Sequence, residues 1–435
     1  LTHRGPDGSG EYLFKNTLLG HTRLSIQDLS SKGMQPMSND NRYWLVFNGE
    51  IYNFKELRKE LECLNHIFYS DTDTEVILNS FKEWGVESFQ KFNGMWSFAL
   101  LDTIEEELII CRDRYGVKPC YIYEDNAQFV FSSEIKPIKK ITNDSLDQNK
   151  ILLEEHQKEG LFITDYKNIN ILEPGHYIKI NLANNKIEKK RWWYGLNHLC
   201  KISPNREQII EEYKEKLKKA VKLRLIADVK ISTSLSGGID SSIIFSELNL
   251  LGVGNLNLNP FILNYPENET FQFAVNFAKS LGKKPFIINE TNNNLNIDTI
   301  LETFKSLERK QFYLKQLELY SAQKKNGFKV SIDGHGADES LGGYVDNIKD
   351  FSIGLQNDLV DTYVTIHHIS SSNLNNILAK NNLTPINKHI NANLTHYLKS
   401  DYKPIFVEKD CNFELTDSCI NDLNDLKNFE FGFLS

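Results

Sequence analysis

The sequence has no C-x-x-C pair, no uninterrupted apolar run of transmembrane length and no surplus of positive charge. Its six cysteines, Cys63, Cys111, Cys120, Cys200, Cys411 and Cys419, are widely scattered. That argues against a zinc site or a disulfide framework and for reduced thiols. The missing apolar run excludes a helical membrane span, and Leu1–Gly10 is too polar for a signal peptide. A net charge of −8 disfavours nucleic acid or an anionic membrane as the main partner. A cytoplasmic protein with neither partner is the expectation. With 435 residues, 25% charged and 40% hydrophobic, the chain has room for two to three domains with cores of their own. It opens at Leu1 rather than Met, and is expected to be a fragment.

The lysine-dependent phosphate loop G-x-x-x-x-G-K-[ST] is also absent. In its place stands Ser234-Leu235-Ser236-Gly237-Gly238-Ile239-Asp240-Ser241-Ser242. The β-branched run Val229–Ser234 predicts a strand, and Ile243, Ile244, Phe245 and Leu248 predict a helix. Ser236–Ser242 is therefore a strand-to-helix turn. Its two glycines let the backbone turn sharply and approach a ligand. N–H groups at the new helix N-terminus, with hydroxyls beside them, suit phosphate oxygens. Asp240 suits phosphate only through a divalent cation such as Mg²⁺. A second strand, Lys329–Ile332, runs into Asp333-Gly334-His335-Gly336-Ala337-Asp338-Glu339. There Asp338 and Glu339 are candidates to hold Mg²⁺ against pyrophosphate, or are simply acids favoured by the helix dipole. Between the two, Pro260–Tyr265, Glu269–Leu281 and Pro285–Ile288 alternate strand, helix and strand. Such units predict an α/β doubly wound parallel sheet with ligands at the strand C-termini.

The first half reads differently. Short β-rich runs with two amphipathic helices predict an α+β sandwich. Tyr43–Phe47 is a strand with a hairpin turn expected at Asn48-Gly49. Asn53, with Glu56 as capping partner, opens a helix bearing Phe54, Leu57 and Leu61. Cys63 on it is expected as a small core residue. Thr72 and Glu75 form a second capping box, opening a helix with Ile77, Phe81 and Trp84 that stops at Gly85. Three groups look chemical. Arg23 can hold a carboxylate bidentately. Asn48 and Gly49 can offer N–H groups to an oxyanion. Asp73 can pair with an ammonium. Each also has a plainer reading as surface arginine, turn or helix-start carboxylate. Further on, Ser203-Pro204 is expected to open a helix carrying Ile209, Tyr213, Leu217 and Val221 on one face.

The string S-G-G-I-D-S-S resembles the pyrophosphate loop of the N-type ATP pyrophosphatases, which implies AMP transfer with release of pyrophosphate. His3-Arg4-Gly5-Pro6-Asp7, Arg23-Leu24-Ser25-Ile26, Asn48-Gly49-Glu50-Ile51-Tyr52-Asn53, Asp73-Thr74-Glu75, Gly94-Met95-Trp96-Ser97-Phe98-Ala99 and Arg112-Asp113-Arg114-Tyr115-Gly116 follow in one order. That order resembles the class II glutamine amidotransferase domain, an N-terminal-nucleophile hydrolase. Followed by the pyrophosphate loop, it resembles the glutamine-hydrolysing asparagine synthetases over nearly the whole chain.

The resemblance implies an N-terminal-nucleophile sandwich over residues 1–200 and an adenine nucleotide α-hydrolase-type domain over 201–435, with the boundary near Cys200–Asn205. It implies L-glutamine held by Arg23, Leu24, Ser25, Ile26, Asn48, Gly49, Glu50 and Asp73. Arg23 would take the carboxylate and Asp73 the amino group, with Asn48 and Gly49 as the oxyanion hole. It implies ATP on Ser234, Ser236, Gly237, Gly238, Asp240, Ser241, Ser242, Leu263, Asp333 and Gly334, with Mg²⁺ on Asp240 and Asp338. L-aspartate is the implied acceptor, and a homodimer the candidate assembly. The family's nucleophilic cysteine, residue one of its mature chain, has no counterpart here, so truncation at both ends is expected. His335 stands where the best-known members carry glutamate, which makes it a catalytic candidate and keeps another carboxylate acceptor open. A non-catalytic remnant is the third alternative.

Overall fold

The computed structural model describes residues 1–151, 162–198, 205–252, 254, 256–264, 270–289 and 310–337. In the first half these form β1 (Gly8–Phe14), β2 (Thr17–Arg23), β3 (Tyr43–Ile51), α1 (Phe54–Cys63), α2 (Asp73–Trp84) and α3 (Ser88–Lys91). They continue with β4 (Gly94–Asp102), β5 (Glu107–Arg112), β6 (Tyr121–Glu124), β7 (Phe129–Ser132), α4 (Ile135–Ile141), α5 (Gln148–Ile151), β8 (Ile169–Ile171), β9 (His176–Asn181) and β10 (Lys186–Arg191). The central sheet is antiparallel, in the order β10-β9-β5-β4-β3.

The central strands are apolar on both faces because both faces are covered. Leu45, Phe47, Phe98, Leu100, Ile109 and Cys111 point one way, into a core shared with Phe54, Leu57 and Leu61 of α1 and Ile77 of α2. Their neighbours Val46, Ala99, Leu101, Leu108 and Ile110 point the other way. They meet Leu19 of β2, with Tyr12, Phe14, Ile122, Phe129 and Phe131 packed alongside. The period of two thus divides one sheet between a helix layer and a strand layer. Each large side chain buried this way stabilises the fold by about 1.5–3 kcal/mol.

Several local expectations change. Asn48-Gly49 is not a turn: β3 runs through it, with Asn48 opposite Ser97 and Gly49 opposite Trp96. Glycine is needed there for close packing, since a Cβ would lie 2.2 Å from the Met95 carbonyl oxygen. Asn53 precedes α1 without capping it. Its side chain instead holds the Lys91 carbonyl and the Asn93 N–H. Cys63 is exposed rather than core, because the stripe of Phe54, Leu57 and Leu61 faces away from it. Thr72 does cap α2, accepting from the Glu75 N–H at 3.2 Å. Glu75 completes no box; its carboxylate takes the N–H groups of Tyr69 and Ser70.

The second half contains α6 (Arg206–Leu223), β11 (Ile231–Thr233), α7 (Ile239–Leu251), β12 (Phe261–Asn264), α8 (Phe271–Ser280), β13 (Phe286–Asn289), α9 (Lys310–Lys325) and β14 (Val330–Ile332). Asn205 caps α6 through the N–H groups of Glu207 and Gln208. Ser203 and Pro204, and with them most of the expected domain boundary, lie outside the described residues. β11 pairs in parallel with β14, and β12 with β13. A parallel bridge between Ser234 and Phe261 joins the two pairs. Spatial order is therefore β13-β12-β11-β14, a doubly wound arrangement whose order reverses between β11 and β14. Crevices at such a reversal, outside the strand C-termini, are where ligands bind in this architecture.

Candidate active site

Two sites emerge, one in each half. The first gathers around the end of β2, the middle of β3 and the start of α2. Arg23 is buried, and its guanidinium donates to the carbonyls of Ser30 (2.6 Å), Gln27 (3.3 Å) and Asp28. Carbonyls take three of its N–H bonds without cancelling its charge, which the nearby Asp28 and Asp7 carboxylates partly offset. Gly33 makes room for it; a Cβ there would collide with the guanidinium. His21 ties β2 to β3 through the Phe47 carbonyl, and burial pushes its imidazole down to about 4, leaving it neutral. The Asn48 amide donates to the Ser133 hydroxyl at 3.2 Å.

Glu50 and Asp73 form an acidic pair. The Asp73 carboxylate accepts from the Ile51 N–H at 2.8 Å and is buried at the first turn of α2. Burial raises its pKa, against the pull of that N–H and those at the helix start. Glu50 accepts from the Gln27 side-chain amide at 2.5 Å. Burial, and then the charge of Asp73, lift it well above the usual carboxylate range, opposed by Lys118. Burial in turn lowers the Lys118 pKa. Two acids made uncomfortable by each other and by burial are suited to a ligand ammonium. Gln27 and Lys118 escaped the sequence reading. Gln27 directly follows the Arg23–Ile26 run, but Lys118 carries no local signal.

The second site is the β11–α7 turn. Gly238 caps α7, and the hydroxyls interlock: Ser241 lies 2.9 Å from Ser236, and Ser242 donates to the Gly238 carbonyl at 2.8 Å. Gly237 has φ of 88°, and a Cβ there would lie 2.5 Å from the Thr270 carbonyl oxygen. Only glycine fits. The end of β14 closes against this turn. Asp333 accepts from the Ser234 N–H (3.1 Å) and hydroxyl, from the Ser331 hydroxyl (2.9 Å) and from the Tyr320 phenol (3.1 Å). Burial, and then the Asp333 charge, raise the Tyr320 pKa. Gly334 presses on the first turn of α7, where a Cβ would lie 2.6 Å from the Ser241 nitrogen. The two glycine motifs, about a hundred residues apart, thus become one surface at the topological reversal. His335 follows, with Nε2 at 3.0 Å from the Gln316 amide nitrogen. Leu263 lies in neighbouring β12. Asp240 sits on the first turn of α7. Asp338 and Glu339 lie outside the described residues.

The halves meet on the residues that build the first site. Lys329, just before β14, donates to the Asp7 carboxylate at 2.6 Å. The same carboxylate oxygen accepts from the Ser25 N–H at 2.7 Å. The Lys329 hydrogen bond is the chief cause of the lowered Asp7 pKa. Asp228 accepts from the Asp28 N–H (2.8 Å) and donates its own N–H to the Ile26 carbonyl (2.9 Å). The Arg224 guanidinium lies 4.7 Å from the centre of the Tyr52 ring.

Comparison with known proteins agrees with this division. The family model of the glutamine amidotransferase domain matches residues 1–193, and that of asparagine synthase matches residues 212–391. The chain is 35% identical over 313 residues to a putative glutamine-hydrolysing asparagine synthetase 2 of Methanocaldococcus jannaschii, covering 64% of this chain and 59% of that one. It is 30% identical to the glutamine-hydrolysing asparagine synthetase 3 of Bacillus subtilis, covering 79% and 59%. An amidase, chyE, of Penicillium rubens is 31% identical, covering 79% and 53%. The chain thus spans little more than half the length of these relatives. A solved glutamine phosphoribosylpyrophosphate amidotransferase from B. subtilis aligns over 62% of this chain and 51% of that one, at 16% identity and a TM-score of 0.32. An amidotransferase domain thus leads into an asparagine synthase domain, in a chain similar to glutamine-hydrolysing asparagine synthetases.

Proposed function

We propose that this protein makes L-asparagine from L-aspartate with ammonia drawn from L-glutamine, consuming ATP and releasing AMP and pyrophosphate. In the first half, Arg23 takes the glutamine α-carboxylate, and Asp73 with Glu50 takes its ammonium. Asn48 and Gly49 would stabilise the oxyanion formed when the family's cysteine nucleophile, which none of the residues of this sequence supplies, adds to the side-chain amide. Ammonia leaves as that oxyanion collapses. In the second half, the acceptor carboxylate attacks the α-phosphorus of ATP and the bond to the β-phosphate oxygen breaks. Ammonia then displaces AMP from the acyl-adenylate. Ser234, with Leu263, flanks the adenine, while Ser236, Gly237, Gly238, Ser241 and Ser242 face the phosphates. Asp333 and Gly334 brace that turn.

The observation that carries this reading is the meeting of Ser234–Ser242 with Asp333–Gly334 at the β11–β14 reversal. An N-terminal helix turn with glycines and hydroxyls is built for phosphate. Asp240 fits Mg²⁺, which characteristically uses one or two carboxylates and takes its other ligands from phosphate and water. When bound, Mg²⁺ would neutralise the leaving pyrophosphate. Pyrophosphate release, followed with ATP, Mg²⁺ and ammonia, should require aspartate and yield asparagine. ATP binding without stimulation by aspartate would overturn the aspartate reading.

A second reading, in which another carboxylate is amidated, is favoured by His335. A neutral or cationic imidazole paired with Gln316 offers an acceptor's ammonium less than a carboxylate would. In that case sugar-acid or peptide carboxylates would stimulate pyrophosphate release where aspartate does not.

A further inference from the structure

We propose that Gln323 is a further positioning residue of the second site, aiming the Asp333 carboxylate at Ser234 through the hydroxyl of Ser331. The inference rests on the ATP reading of that site and adds a residue to it. On α9, Gln316, Tyr320 and Gln323 stand at spacings of four and three, on one face of the helix. On β14 and the turn after it, Ser331, Asp333 and His335 stand two apart. The two sets meet pairwise. Gln323 donates to the Ser331 hydroxyl at 3.0 Å, Tyr320 donates to Asp333 at 3.1 Å, and Gln316 lies 3.0 Å from His335. Seven helical residues rise about 10 Å and four extended ones about 13 Å, so the two spacings stay in step over three rungs.

Gln323 is the rung that solvent does not explain, being only 4% exposed. A buried amide costs free energy unless its hydrogen bonds are made, and an apolar side chain of similar length would keep the packing. What the amide supplies is direction. A serine hydroxyl has one proton to give. Because Gln323 donates to the Ser331 oxygen, that oxygen's own proton points elsewhere, and it goes to Asp333 Oδ1 at 2.9 Å. The same Oδ1 takes the N–H of Ser234 at 3.1 Å and its hydroxyl. Gln323 therefore reaches the start of the β11–α7 turn in two steps, Ser331 and then Asp333.

The test is titration calorimetry on the full chain, with ATP and with pyrophosphate, each in the presence of Mg²⁺. Gln323→Met should weaken ATP about fivefold, the effect of one hydrogen bond. Pyrophosphate should bind as before, because its part of the turn is held by the hydroxyls of Ser236, Ser241 and Ser242 rather than by Ser234. Ser331→Ala removes the middle link with a smaller change in packing and should reproduce the same loss. Since both variants break one chain, the double variant should bind ATP no more weakly than either single one. Full ATP affinity in either single variant would overturn the proposal. So would equal losses for ATP and pyrophosphate, the mark of a turn loosened as a whole. A double variant whose loss is the product of the two single losses would also overturn it, since the two residues would then act independently. Failure of the unaltered protein to bind ATP would remove the ATP reading itself and this inference with it.

Discussion

The two sites solve opposite problems. In the first, charged side chains are buried and pressed together, and the backbone keeps them there: Arg23 on three carbonyls, Asp73 on the Ile51 N–H. In the second, the polar groups are backbone N–H groups and hydroxyls on a turn, interlocked with one another. One site spends fold stability to bury ionisable groups against one another. The other is a local conformation that any strand–helix junction with the right glycines adopts. The contrast teaches that holding ionisable side chains in the interior needs a whole domain around them, whereas a turn of glycines and hydroxyls needs chiefly a brace.

The sharpest way to break the contrast is through its glycines. Gly49→Ala places a Cβ 2.2 Å from the Met95 carbonyl inside the central sheet. It should destabilise the first half by about 3 kcal/mol, read as a lower midpoint in urea. Gly334→Ala places a Cβ against the α7 backbone. It should abolish nucleotide binding in calorimetry while leaving the first half's unfolding midpoint in place.

Next comes Asp73→Asn. Burial raises the Asp73 pKa above its unfolded value, so the wild-type contribution favours folding while the carboxyl is neutral. That contribution is lost as pH rises from about 4, the ordinary carboxylate value, through the raised folded-state pKa. The variant should therefore gain stability over wild type at pH 8, on the order of 1–3 kcal/mol, and gain little or none near pH 4. Unfolding in urea at the two pH values measures this, and an equal change at both would refute it.

Smaller effects sharpen the comparison. Tyr320→Phe removes one of the hydrogen bonds to Asp333 and should weaken ATP binding by about 1 kcal/mol, or roughly fivefold. Lys329→Met removes a half-exposed ion pair to Asp7, worth about 0.5–1 kcal/mol. Its expected signature is separation of the thermal transitions of the two halves in scanning calorimetry, rather than a large fall in either.

Legibility in the sequence followed the same division. Ser234–Ser242 and Asp333–Gly334 were readable because their chemistry lies in consecutive residues at a change of periodicity. In the central sheet, Tyr43–Phe47 was readable from its apolar run, whereas Lys186–Arg191, mostly charged and lying at the sheet edge, shows little strand pattern. Asn48-Gly49 misled, since a pair that usually makes a hairpin is used here for close packing between strands. Asn53 misled because tertiary contacts with Lys91 and Asn93 outcompete a cap. Gln27 and Lys118 were invisible for a physical reason. Their significance comes from neighbours brought from elsewhere in the chain, and neither stands in a pattern that demands them.

The carboxylate of Asp7 has a consequence for how such proteins can be recombined. One oxygen atom serves Ser25 on one side and Lys329 on the other, so neither half owns it. A chimera joining this amidotransferase half to a different synthetase half would inherit an acid whose cation stayed behind. Module exchange at this seam therefore has a pairing rule: Asp7 travels with Lys329, and Asp28 with Asp228, or the graft begins with its joint unlocked.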